Sequence, residues 1–257
     1  MSDFTVAGMT TSTTAPLTGR TAIVTASSRG IGAAIARRLG ADGANVIVNY
    51  QRNADAAAEV VAAIEATGGK GVAVRADLSV AADIALLFDT ARDTFGGLDI
   101  LVNNAGLNLH KAVVDIEDEE FERVLAVNVR GTFLALRHAA RQLRDGGRIV
   151  NISTGYTRVS FPGEGVYTAT KAAVEHLGVA LSKELGPRGI TVNSVLPGLT
   201  DTDETAAIRD QFDTFAAMTP LRRVGRPEDI ADVVAFLAGD DARWVTGQSI
   251  AAAGGLA

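Results

Sequence analysis

The 257-residue chain contains no cysteine. That absence excludes disulfides, thiolate zinc sites and iron–sulfur clusters in one step, and it fits a reducing, cytoplasmic compartment. Histidine is scarce as well: His110, His138 and His176 are too scattered to suggest a zinc site, so no metal is expected. No run approaches the ~20 apolar residues of a membrane span. There is no basic block either. Twenty-four Lys and Arg face 30 Asp and Glu, giving a net charge of −6 and a pI near 5.1. Such a chain is a poor partner for nucleic acid or an anionic membrane. The first 17 residues, MSDFTVAGMTTSTTAPL, lack a basic segment and a continuous apolar core, so they read as a loose N-terminal tail rather than a signal peptide.

What is present is a 47% hydrophobic chain with only six prolines, long enough to bury a large core. Residues 18–257 show no composition break, linker or internal repeat, and read as a single domain. Short β-branched runs are expected as strands at Thr21–Ala26, Asn45–Tyr50, Gly71–Ala76, Asp99–Asn104, Arg148–Ser153, Ile190–Leu196 and Gln248–Ala251. Most are nearly continuous apolar runs, as strands buried on both faces of a parallel sheet are. Helical patterns lie between them at 30–41, 54–67, 80–95, 117–144, 166–186 and 227–239. Strict alternation implies right-handed crossovers and a Rossmann-like, doubly wound α/β sheet of about seven strands with helices on both faces. The least regular stretch, about 199–225, follows a strand late in the chain, where a substrate-covering loop is useful.

The first strand runs into Thr25-Ala26-Ser27-Ser28-Arg29-Gly30-Ile31-Gly32 and then a helix. A small-residue turn there lets backbone amides and the helix N-terminus approach a pyrophosphate. Alone it decides little, because tight turns that bind nothing use the same residues. An NAD site of this architecture places an acid about 20 residues on, at the end of the second strand. Here that position reads Asn49-Tyr50-Gln51-Arg52. The missing carboxylate, with Arg29 and Arg52 nearby, favours NADP, although Arg52 is equally well read as a solvated side chain.

Tyr167 and Lys171 are four residues apart in an expected helix and so share a face. That spacing is common by chance. Its company changes its weight: the pair follows a strand ending Asn151-Ile152-Ser153-Thr154 in a chain that already carries a dinucleotide-type turn.

Taken together, residues 18–257 resemble the short-chain dehydrogenase/reductase family, and within it the 3-oxoacyl-carrier-protein reductases and related ketone reductases. The matching pieces are the TASSRGIG turn, Asp77-Leu78, Asn103-Asn104-Ala105-Gly106, Asn128 in AVNVRG, the YTATK helix and Pro197-Gly198. The resemblance implies an NADPH-dependent reduction of a ketone to a secondary alcohol. The same scaffold also serves alcohol dehydrogenases and C=N reductases, and a silent dinucleotide-binding sensor is the non-enzyme alternative. By resemblance, Tyr167 is the proton donor toward the substrate oxygen, Lys171 lowers its pKa and bonds the nicotinamide ribose, and Asn128 holds a proton-relay water. Asp77 and Leu78 face the adenine side, and Asn104, Ala105 and Gly106 the ribose. Pro197, Gly198 and Thr200 face the carboxamide. A homotetramer built on the long helices beside the site is also implied.

The chain departs from the family pattern at three places. The turn begins Thr25-Ala26 where Thr-Gly is usual. The C-terminal segment reads Ala251-Ala252-Ala253-Gly254-Gly255 without the usual Asp, which bears on subunit contacts. The strand before the catalytic helix ends Ser153-Thr154 instead of Ser-Ser, so position matching seats Thr154 as the active hydroxyl, with Ser153 as the alternative. Tyr156, Phe161, Leu107, Leu109, Phe215 and Met218 fall in the expected pocket segments and point to an apolar or aromatic substrate. His110 is read either as a substrate contact or as a solvated loop residue.

Overall fold

The computed structural model describes residues 15–257. Most of the expected tail, residues 1–14, lies outside them. Leu17, the last residue assigned to that tail, is 1% exposed and belongs to the core. Its N–H donates to the Asp42 carbonyl, which anchors the chain just ahead of the first strand.

Seven parallel strands form one sheet in the order β3-β2-β1-β4-β5-β6-β7. They are β1 (Thr21–Val24), β2 (Asn45–Tyr50), β3 (Lys70–Arg75), β4 (Leu98–Asn103), β5 (Leu143–Ile152), β6 (Thr191–Pro197) and β7 (Ser249–Ala252). The apolar runs of the inner strands β1, β2, β4, β5 and β6 are buried because helices cover both faces, while the edge strands β3 and β7 are more exposed. On one side α1 (Gly30–Ala41), α2 (Ala54–Ala66) and α8 (Pro227–Ala238) enclose a cluster containing Ile35, Leu39, Val46 and Val234. On the other, α3 (Ala81–Phe95) and α5 (Thr132–Gln142) enclose one containing Phe88, Leu101, Leu134 and Ile149. The strand order reverses between β1 and β4, and the crevice beyond their carboxyl ends is where this architecture places a ligand.

Two segments differ from the sequence expectation. The expected helix over 117–144 is three pieces: α4 (Asp118–Leu125), a π-helical stretch Ala126–Gly131, and α5. Gly131, at the end of that stretch, passes so close to the neighbouring chain that a Cβ there would sit 2.5 Å from the Leu78 carbonyl. The end of that window, from Leu143, already belongs to β5. The expected irregular loop after β6 is partly helical, with a 3-10 segment Asp203–Gln211 and α7 (Phe212–Met218). Its ends meet at the Thr200–Gly225 bridge, so it is a closed excursion with a defined neck. The remaining long helix, α6 (Gly165–Leu185), carries Tyr167 and Lys171.

Candidate active site

The turn after β1 is built by side chains that reach across the sheet. Asn49 Oδ1 accepts from the Ala26 N–H at 2.8 Å, and Ser27 Oγ donates to the Val24 carbonyl at 2.7 Å. Asn104 Nδ2 donates to the Thr25 and Ala26 carbonyls, while Thr25 Oγ1 accepts from the N–H groups of Asn104 and Ala105. Asn49, expected to contact a cofactor, is therefore 2% exposed and committed to shaping the turn. Tyr50 is half-buried, packed against the core. Ile31 also rests on that core and Leu78 on the opposite one.

This turn presents the amino end of α1, whose first N–H groups have no side-chain cap. Gly32 is required here: a Cβ would lie 2.5 Å from the Ala26 carbonyl and from Asn104 Nδ2. Ser28 and Gly30 are half-buried at its rim, and Arg29 is exposed with its guanidinium 3.8 Å from Glu204 in the loop after β6. An uncapped helix start behind a tight small-residue turn suits a diphosphate. Beyond it, Gln51, Arg52, Arg75, Asp77 and Asp83 line a cavity of about 390 Å³. Arg75, at the end of β3, escaped sequence reading because nothing local marks it. It donates to the Gln51 carbonyl from the edge of this cavity. Asp77 is held below the usual carboxylate range, chiefly by the Ser79 N–H, and also accepts from Gln51 Nε2 at 2.6 Å. Two arginines without an acid at the end of β2 fit a 2′-phosphorylated dinucleotide.

Across the crevice, Ser153 and Thr154 leave β5 in opposite directions, as strand alternation requires. The Ser153 hydroxyl donates to Glu175 Oε1 at 2.6 Å inside the protein. Burial and the charges of Glu204 and Glu164 push the Tyr167 phenol pKa up, and the hydroxyl of buried Thr154, which also accepts from the Tyr156 N–H at 3.3 Å, draws it partly back. Lys171 is buried, and its Nζ donates to the Ile152 carbonyl at 2.9 Å and lies 5.8 Å from the centre of the Tyr167 ring. Desolvation lowers its pKa to about 8.

Asn128 sits in the π-helical stretch, 1% exposed. Its Oδ1 accepts from the Leu107 N–H at 2.7 Å, and its Nδ2 donates to the Leu107 carbonyl and to Thr170 Oγ1. A Cβ at Gly106 would lie 2.8 Å from Lys171 Nζ and 3.7 Å from Asn128 Oδ1. Glycine thus lets the lysine ammonium pack closely against the backbone beside Asn128. Pro197 and Thr200 are buried at the end of β6, and Gly198 passes so close to Ala253 that a Cβ would be 2.9 Å from its Cα.

One site therefore joins a phenol, a hydroxyl and a buried ammonium beside a dinucleotide-type turn. The family model described as "Enoyl-(Acyl carrier protein) reductase" matches residues 25–257. The chain belongs to the short-chain dehydrogenase/reductase family, oxidoreductases of carbonyl and hydroxyl groups. It is 42% identical to versicolorin reductase 1 of Dothistroma septosporum over 93% of this chain and 96% of that one. Among solved structures, the angucycline C-6 ketoreductase LanV with bound NADP is 45% identical, covering 94% of this chain and 96% of its own, at a TM-score of 0.89. A Burkholderia cenocepacia short-chain dehydrogenase in complex with NADP is 42% identical over 94% of this chain and 99% of its own, with a TM-score of 0.90.

Proposed function

We propose that this short-chain dehydrogenase/reductase is an NADPH-dependent ketone reductase acting on an apolar or aromatic substrate. The observation that carries the reading is the buried Lys171 ammonium 5.8 Å from the centre of the Tyr167 ring, on the helix face that follows Thr154. Thr154 polarises the substrate oxygen and Tyr167 delivers the proton to it. Burial keeps the phenol protonated, which is the form a reduction needs. The ammonium of Lys171 then offsets the phenolate that proton delivery leaves behind. Lys171, packed over Gly106 beside Asn128, recovers its proton through a bound water. NADPH, when bound, supplies the hydride. Its diphosphate would rest on the turn from Ser28 to Gly32, its 2′-phosphate near Arg29, Arg52 and Arg75, and its carboxamide by Pro197, Gly198 and Thr200. The ketoreductases and NADP complexes among its relatives support this direction and cofactor. We also infer a cytoplasmic homotetramer, in line with exposed Phe121 and Phe133 on α4 and α5.

The test is NADPH and NADH oxidation with a panel of aromatic and aliphatic ketones, in the wild type and in Arg29→Ala and Arg75→Ala. Turnover should depend on NADPH. Each arginine removal should weaken NADPH about ten- to a hundredfold more than NADH, the scale of one charge-assisted bond. A wild type that prefers NADH, or equal losses for both cofactors, refutes the assignment.

A further inference from the structure

Next to Tyr167 lies a pair of side chains that the proton-transfer chemistry leaves unused. His110 is on the loop after β4, and Glu164 stands at the amino end of α6, three residues before Tyr167. His110 Nδ1 is 2.8 Å from Glu164 Oε1. The two loops are tied together beside this contact, with the Lys111 N–H donating to the Gly163 carbonyl at 2.9 Å. Gly163 has a φ of +85°, and a Cβ there would come within 2.9 Å of His110 Cε1, so the glycine provides the room in which the imidazole lies.

The exposures of the two partners are opposite. The Glu164 side chain is 8% exposed and that of His110 is 70% exposed. The second carboxylate oxygen, Oε2, is buried without a hydrogen-bond partner. An ordinary surface ion pair keeps both charges in water and gains little. A carboxylate withdrawn from water and aimed at one imidazole nitrogen is costly by comparison, and what it achieves is orientation. It accepts from Nδ1–H, fixes the ring, and leaves Nε2 as the free atom on the far side. The pair also borders the reacting groups: the Glu164 charge acts on both Tyr156 and Tyr167, and the Tyr156 ring packs 5.2 Å from that of Phe161.

Resting on the ketone-reductase reading, we propose that Glu164 and His110 form a specificity subsite in which His110 Nε2 anchors a hydroxyl group carried by an aromatic ketone. Nε2 accepts when the ring is neutral and donates when it is protonated. A hydroxyl answers both states, whereas a carbonyl or ether oxygen answers only the second. Tyr156 and Phe161 supply an apolar surface for the aromatic body. The substrate is thereby held at its hydroxyl end while Thr154 and Tyr167 meet the ketone at the other.

The experiment compares two aromatic ketones of one carbon skeleton, one with a phenolic hydroxyl and one with hydrogen in its place. kcat and KM are measured for the wild type, His110→Phe, His110→Gln and Glu164→Gln, with folding checked by circular dichroism and NADPH titration. The wild type should favour the hydroxylated ketone in kcat/KM by about tenfold or more. His110→Phe should erase that ratio, mainly through KM. His110→Gln, still able to donate and accept, should restore part of it, and Glu164→Gln should lower it by loosening the ring. A ratio that survives His110→Phe overturns the subsite, as does a wild type that reduces both ketones equally well. A wild type that reduces neither ketone overturns the reductase reading, and the subsite falls with it.

Discussion

The hydroxyls of Ser153 and Thr154 are adjacent in sequence and serve opposite sides of the protein. Ser153 donates to Glu175 in the interior, 2.6 Å away, while the Thr154 hydroxyl lies on the Tyr167 side, where it draws the phenol pKa down against burial. Replacing Thr154 with Ala should therefore lower kcat about 10²–10³-fold, the scale for removing one donor to a developing oxyanion. Thr154→Ser keeps the hydroxyl and should stay active. Ser153→Ala should leave kcat within a few-fold but destabilise the fold by about 1–3 kcal/mol, because the buried Glu175 carboxylate loses a donor. Steady-state kinetics and thermal melts on the three variants separate these outcomes. Loss of turnover in Ser153→Ala with an active Thr154→Ala would reverse the assignment.

Period-2 and period-4 patterns made these positions legible in the sequence. Strand alternation requires that only one of two neighbouring hydroxyls look into the crevice, and a four-residue spacing puts Tyr167 and Lys171 on one helix face. The seven strands were legible for the same reason, since each is a local apolar run. Contacts between distant segments left no such trace. Arg75 reaches the cavity lined by Gln51 and Arg52 only because β3 lies beside β2, and Glu164 finds His110 only because two loops cross. The break at Ala126–Gly131 was hidden as well. The contacts made there, the Leu78 carbonyl against Gly131 and the bonds of Asn128 to Leu107, come from outside the local window. Asn49 was misjudged because its position at a strand end suits a ligand contact, and only the fold shows its amide turned inward.

Lys171 sets the pH behaviour. Burial lowers its pKa from 10.5 to about 8. The ammonium is present below that value, so kcat/KM for reduction should be level below pH 8 and fall as pH rises through it. Stability should run the other way. Between about pH 8 and 10.5 the unfolded chain binds a proton that the folded chain has released, so this residue makes stability rise with pH there. Below pH 8 its burial costs up to about 3 kcal/mol, at 1.36 kcal/mol per pKa unit. Lys171→Met should accordingly be inactive yet more stable than the wild type at pH 7, less whatever the lost bond to the Ile152 carbonyl costs. That advantage should shrink toward pH 10. Denaturant titrations at the two pH values measure it, and a variant less stable at pH 7 than at pH 10 relative to wild type would contradict the argument.

Ala26 adopts a left-handed backbone, φ +50°, which glycine adopts more readily. The conformation is imposed from outside, by Asn49 Oδ1 on its N–H and Asn104 Nδ2 on its carbonyl. For a residue with a Cβ it costs about 1–2 kcal/mol. Ala26→Gly removes that strain but loosens the unfolded chain, which takes back about 0.4–1 kcal/mol. Strain is the larger of the two, so the variant should gain about 0.5–1 kcal/mol, or roughly 1–3 °C in Tm for a domain of this size. Asn49→Ala should do the reverse, costing about 0.5–1.5 kcal/mol because the Ala26 N–H loses its acceptor. It should also weaken NADPH binding, since the turn that meets the diphosphate is no longer held. Differential scanning calorimetry with and without NADPH reads both effects. A lower Tm in Ala26→Gly would mean that the methyl group, and not the backbone, decides the stability of this turn.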